Sequence, residues 1–128
     1  MDDKIKYWID LSDYDLDTAL AMLESRRYLY VGFMCHQTIE KIFKAYFTKV
    51  KRETAPFSHS LSFLAKKSDL YNDFSEQQKD FIDQIEPLNI ETRYPSYKER
   101  LLKSMNEQKG REILNETKQL QEWIKTKL

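Results

Sequence analysis

The apolar residues Ile5, Trp8, Ile9, Leu16, Ala19, Leu20 and Leu23 recur three and four positions apart, the spacing that lines one face of an α-helix. No glycine or proline interrupts residues 2–31, so the pattern predicts an amphipathic helix starting near Asp2, where early acids suit the positive end of the helix dipole. The stripe loses phase at residues 25–27. It resumes as Val31, Met34, Cys35, Ile39, Ile42, Phe43, Tyr46 and Phe47, which predicts a second helix ending near Val50. Gly32 inside that helix costs up to about 1 kcal/mol relative to alanine. Its presence predicts a close neighbour, near Ala19 or Ala21.

Residues 51–58 carry charge, Thr54 and Pro56, and read as a loop. Ser58 is then expected to cap a short third helix running to about Leu70, with Leu61, Leu64 and Ala65 facing inward. Ser75 followed three residues later by Gln78 has the form of a capping box, and the helix after it should stop at Pro87. Residues 88–97 read as irregular, and the pattern assigns no element to 98–105. Ile113, Leu114, Thr117, Leu120 and Ile124 predict a long last helix beginning near Asn106. No stripe repeats for enough heptads to make a coiled coil, and there is no internal repeat. The expected fold is all-α, an up-and-down bundle of four to five helices in one domain over residues 1–128.

Composition sharpens this picture. At 128 residues the chain suits one core, and its 2 glycines and 3 prolines are too few for the tight turns of a sandwich or barrel. With 8 Tyr and 7 Phe it is too aromatic to be disordered. Trp8, Tyr28, Tyr30, Phe33 and Phe47 exceed the needs of one small core; core packing is their commoner fate, and a dimer interface, where aromatic residues are enriched, is the alternative for some of them. Basic and acidic residues balance at 21 each, so no long-range field draws the protein to nucleic acid or an anionic surface, and any anion site must be local. No apolar run approaches the roughly 20 residues of a membrane span. The lone Cys35 excludes an intramolecular disulfide, and the first residues lack signal-peptide character, so a cytoplasmic location is expected.

The same residues restrict the chemistry. One cysteine and two histidines, with Cys35 and His36 adjacent, are not a zinc ligand set, and no metal or other cofactor is expected. No glycine-rich phosphate loop exists. Asp13, Asp15 and Asp17 sit two apart and point to different helix faces. Cys35 lies on the apolar stripe, which predicts burial rather than nucleophilic use. His36, Glu40 and Lys44 recur every four residues, and Gln37 joins them on one side of the second helix. They form either a solvated or interface stripe of ion pairs or the polar wall of a cleft.

Three pieces, in order, resemble the HEPN domain family. They are the segment His36-Gln37-Thr38-Ile39-Glu40-Lys41-Ile42-Phe43-Lys44-Ala45, the junction Pro56-Phe57-Ser58-His59-Ser60-Leu61 and the loop Arg93-Tyr94-Pro95. The opening helix around residues 19–24 is also similar to the family's first helix. The resemblance implies a helical bundle that forms a homodimer. It also implies relatives encoded beside a minimal nucleotidyltransferase as toxin–antitoxin pairs, many of them cutting RNA without metal.

Active relatives carry an arginine, four to six residues, then a histidine, with two copies meeting across the dimer. In that pairing the arginine would stabilise phosphorane charge while the imidazole moves the 2′-hydroxyl proton. Arg93 sits where that arginine belongs, but the positions that could hold the histidine are Lys98, Glu99 and Arg100. The resemblance therefore implies a nucleotide- or RNA-binding dimer without cleavage activity, with Arg93, Tyr94, Lys98, Arg100, Gln37, Glu40 and Lys44 as the phosphate- or nucleotide-binding set. The plainer reading of Arg93 is a loop arginine holding a helix end or a carboxylate. The alternative is an endonuclease in which Arg93 works with a displaced imidazole, His36 or His59. Arg52 and His59 have six residues between them, but the intervening Pro56 keeps them off one helical face. His59 is expected at the start of the third helix, bonded locally.

Overall fold

The computed structural model describes residues 2–91 and 95–128, with side chains described outside residues 90–98 and 101. Helix α1 spans Asp3–Glu24, and the Asp2 carboxylate accepts the Lys4 amide at 2.7 Å as its N-cap. The chain reverses at residues 25–27, where Arg26 takes a left-handed conformation (φ 64°). Helix α2, Tyr28–Lys51, then returns along α1 and ends at a left-handed Arg52 (φ 55°). Both helices form as the two apolar stripes predict, and the break falls where the stripe loses phase.

Helix α3 spans Leu61–Lys67 and is capped by Ser60, whose hydroxyl accepts the Phe63 amide, rather than by Ser58. The Ser58 hydroxyl instead accepts the Ser60 amide, tightening the turn before the cap. The third helix is shorter than expected. A left-handed Asp69 ends its run, and residues Leu70–Asp73 form a 3-10 turn. Helix α4, Glu76–Ile85, opens with the capping box of Ser75 and Gln78 and stops before Pro87.

The stretch expected to be irregular is helical at both ends. Helix α5 covers Leu88–Glu91, and α6 runs Pro95–Ser104, taking in most of the unassigned segment. A proline at the first helical position has no amide to lose and a preset φ, so Pro95 starts a helix rather than preventing one. Helix α7, Glu107–Lys125, begins at the N-cap Asn106.

Among the described residues there is no strand, and five helices of ten residues or more make the bundle. Among those residues no helix is long and apolar enough to cross a membrane. Helix α2 is central and packs against each of the other six. Its Ile39, Ile42 and Phe43 are fully enclosed with Leu61 and Leu64 of α3, Ile85 of α4 and Ile124 of α7. Removing such apolar area from water supplies about 25 cal/mol per Å². Cys35 lies in this core, and burial pushes its thiol up to about 12 against a smaller lowering contact with Thr117. Gly32 does have a close neighbour, but it is not Ala19 or Ala21 of α1. A Cβ there would stand 2.9 Å from Leu88 of α5 and 3.6 Å from Met105.

Candidate functional site

The four-residue spacing on α2 puts His36, Glu40 and Lys44 on one face, and the bundle closes over that face. The stripe expected at solvent or an interface is interior: His36, Glu40 and Lys44 are all buried within the single chain. Lys44 Nζ lies 3.2 Å from Glu40 Oε2 and 5.3 Å from the centroid of the Trp8 ring on α1. An ammonium between a carboxylate and an indole face is compensated on both sides.

Both histidines converge on the same carboxylate. His59 is not locally bonded. It precedes α3, and its Nδ1 reaches back 19 residues to Glu40 Oε1 at 2.9 Å. Its side chain remains 57% exposed while the Glu40 side chain is 2% exposed. His36 has no such freedom. It is fully enclosed, with Nδ1 3.9 Å from Glu40 Oε1 and Nε2 3.5 Å from Glu86 Oε2, and neither nitrogen has a close hydrogen-bond partner among the described residues. A neutral imidazole donates from one nitrogen only, whereas an imidazolium would serve both carboxylates.

Glu86, at the end of α4, completes the cluster from a third direction. It accepts the amides of Leu61 and Ser62 at 2.9 and 3.2 Å and the hydroxyls of Ser60 and Ser62 at 3.1 and 3.3 Å. Partial burial pushes its carboxyl up, but the His36 ring, the two amides and the Ser60 hydroxyl outweigh that and hold it down at about 2. One carboxylate thus joins α2, α3 and α4.

Gln37 lies on the neighbouring face. Its amide donates to Asn89 Oδ1 at 3.1 Å, and its carbonyl oxygen accepts from Lys41 at 2.9 Å. Lys41 in turn pairs with Asp15 of α1 at 3.5 Å. Of the expected phosphate-binding set, the structure brings Glu40 and Lys44 together, with the candidate imidazoles His36 and His59 beside Glu40, and turns Gln37 toward α5. Arg100 is exposed on α6. Arg93 and Tyr94 lie outside the described residues, as does the side chain of Lys98. The cluster is a poor cation site, because the Lys44 ammonium occupies Glu40 and the two nitrogens of His36 face different carboxylates. No group of three or more His, Cys, Asp or Glu among the described residues is arranged to hold a metal ion.

The sequence matches the HEPN domain over residues 5–127, nearly its whole length. The chain belongs to the HEPN domain family. A comparison with curated protein sequences finds no match. Among solved structures, this HEPN domain is similar to a protein from Thermus thermophilus, described as TT1696. The TM-score is 0.83 at 18% identity, covering 99% of this chain and 100% of that one. That likeness is one of fold.

Two residues around this site escape the sequence. Glu86 is an acid at the C-terminal end of α4, where the helix dipole disfavours negative charge. That misfit is the one local sign that its partners lie elsewhere. Asn89 gives no sign at all. Chemically, the member of the cluster open to solvent is His59, whose Nδ1 is held by Glu40 while more than half of its side chain is exposed.

Proposed function

We propose that this HEPN domain is a binding and interaction module: a homodimer that partners a minimal nucleotidyltransferase, as in toxin–antitoxin pairs, or holds a nucleotide or RNA segment, without cutting RNA itself. Its lone buried cysteine suits the cytoplasm. The observation that supports this reading is where the imidazoles are. The chain has two histidines, neither follows Arg93 in sequence, and both point at Glu40. A general base must come within hydrogen-bond reach of the proton it takes. His36, fully enclosed, has no path to a ribose hydroxyl.

His59 favours a second reading. A buried carboxylate holding Nδ1 of an exposed imidazole is how such a ring is oriented for proton transfer. In that reading the protein is a metal-independent endonuclease with a displaced histidine. Incubating a mixed RNA with the protein in EDTA, beside Arg93→Ala, His36→Ala and His59→Ala variants, separates the two. The binding module leaves the RNA intact in every lane. Cleavage that disappears in both Arg93→Ala and His59→Ala establishes the second reading instead. Sedimentation at micromolar concentration tests the homodimer, which a monomer would overturn.

A further inference from the structure

Between α7 and the first turns of α4 lies a cavity of about 510 Å³, walled by Asp73, Phe74, Phe81, Glu116, Leu120 and Trp123 among others. The chain brings its own alkylammonium to two of these walls. Lys127, just past the end of α7, holds its Nζ 4.7 Å from the centroid of the Trp123 ring and 3.3 Å from Asp73 Oδ2. An aromatic face with a carboxylate beside it attracts an organic cation. The Trp123 ring is held by Phe74, at a centroid distance of 5.8 Å, and Phe74 in turn stacks on Phe43 of the core. The second carboxylate has no such partner. Glu116 is half-buried, and no hydrogen bond or ion pair of its side chain occurs among the described residues. The residues three and four positions away on α7 are Glu112, Ile113, Gln119 and Leu120, none of them basic. No lysine or arginine lines the cavity. By contrast, the cavities beside α1 set Asp2, Asp3 and Glu53 against Lys4, Lys49 and Arg52, and select no ligand charge.

We infer that this cavity binds a small alkylammonium ligand of the linear diamine class. One ammonium meets Glu116, the methylene chain lies along Leu120 and Trp123, and the second ammonium takes the place of Lys127 at Asp73. The volume is that of a small-molecule pocket. The Lys127 side chain is 29% exposed and has a flexible stem, so it can swing out to water when a ligand takes its place. A metal ion fits less well, because an indole face offers it no oxygen ligand and no group of three or more His, Cys, Asp or Glu among the described residues is arranged to hold one. No wall of the cavity belongs to the α2 cluster, so this ligand is independent of the function proposed above.

The chain has two tryptophans, so its nitrogen–proton correlation spectrum carries two indole signals, and the one missing from Trp123→Phe belongs to Trp123. Titrating 1,4-diaminobutane into the unaltered protein should move that signal saturably and leave the Trp8 signal in place. The uncharged analogue 1,4-butanediol should move neither. Glu116→Gln should weaken the diamine by about five-fold or more, since the partner lost is a half-buried carboxylate. Lys127→Gln removes the competing ammonium and should tighten the diamine by a similar factor. No saturable shift at millimolar diamine, an equal response to the diol, or an unchanged affinity in Glu116→Gln overturns the site. An unchanged or weaker affinity in Lys127→Gln overturns the displacement at Asp73. A short peptide with one internal lysine carries the same chemistry from another source. Binding tighter than that of the diamine overturns the small ligand in favour of a partner's lysine, and equal or weaker binding sustains it.

Discussion

Glu40 is nearly enclosed and touches Lys44, His59 and His36. Breaking one side of a buried ion pair leaves a charge without compensation, which typically costs about 3–5 kcal/mol. Urea unfolding of Glu40→Gln should show a loss of that size. Replacing both Glu40 and Lys44 with leucine should recover most of it, because neither charge is then stranded. Glu86 controls behaviour in acid. Its folded carboxyl titrates near 2 against an ordinary value of 4.5, so the unfolded chain takes up its proton first as pH falls. Its stabilising contribution is whole above about pH 4.5 and is lost progressively toward pH 2. Glu86→Gln should therefore flatten the fall of stability across that window, measured by thermal unfolding at several pH values. At this scale the sequence was half legible. The spacing of His36, Glu40 and Lys44 showed their shared face but not that it would be interior, since burial depends on what packs over it. The reach of His59 to Glu40 belongs to the loop's path and leaves no local trace.

Elements were legible where their stripes were long. Helices α1, α2 and α7 each carry several turns of three-and-four spacing, and their ends fall close to the positions the caps and phase breaks indicate. Helices α5 and α6 were not, because α5 is a single turn directly after Pro87 and α6 begins at Pro95, a proline that reads as a helix breaker until the fold shows it at the first helical position. The cap of α3 gives a direct comparison. Ser60→Ala should destabilise by about 1 kcal/mol or more through loss of the Phe63 amide bond and of the hydroxyl bond to Glu86, while Ser58→Ala, which removes only a turn contact, should do less. The packing of α5 on α2 is equally testable. A Cβ at position 32 already meets Leu88 at 2.9 Å, so the branched side chain of Gly32→Val should overpack the contact by about 1–3 kcal/mol.

For the whole molecule, the central place of α2 sets the order of opening. From Cys35 to Thr48 this helix is almost continuously buried, and its hydrogen bonds break only when its neighbours leave. Amide exchange should be slowest across residues 35–48 and should approach the rate of global unfolding there, while the ends of α1 and α7 exchange faster. Fast exchange in the middle of α2 would show that the bundle opens by another route.

The polar seam through this bundle also bears on evolution and engineering. Interiors hold charge poorly, and well-packed aliphatic residues commonly replace a buried ion pair with no loss of stability or with a gain. A library randomised at positions 36, 40, 44, 59 and 86 and selected only for resistance to heat should therefore drift toward oily combinations. The same library selected for what the protein does in its cell would return histidine, glutamate and lysine if the seam performs work. The divergence between the two winning pools would measure how far this interior has been kept for activity rather than for endurance.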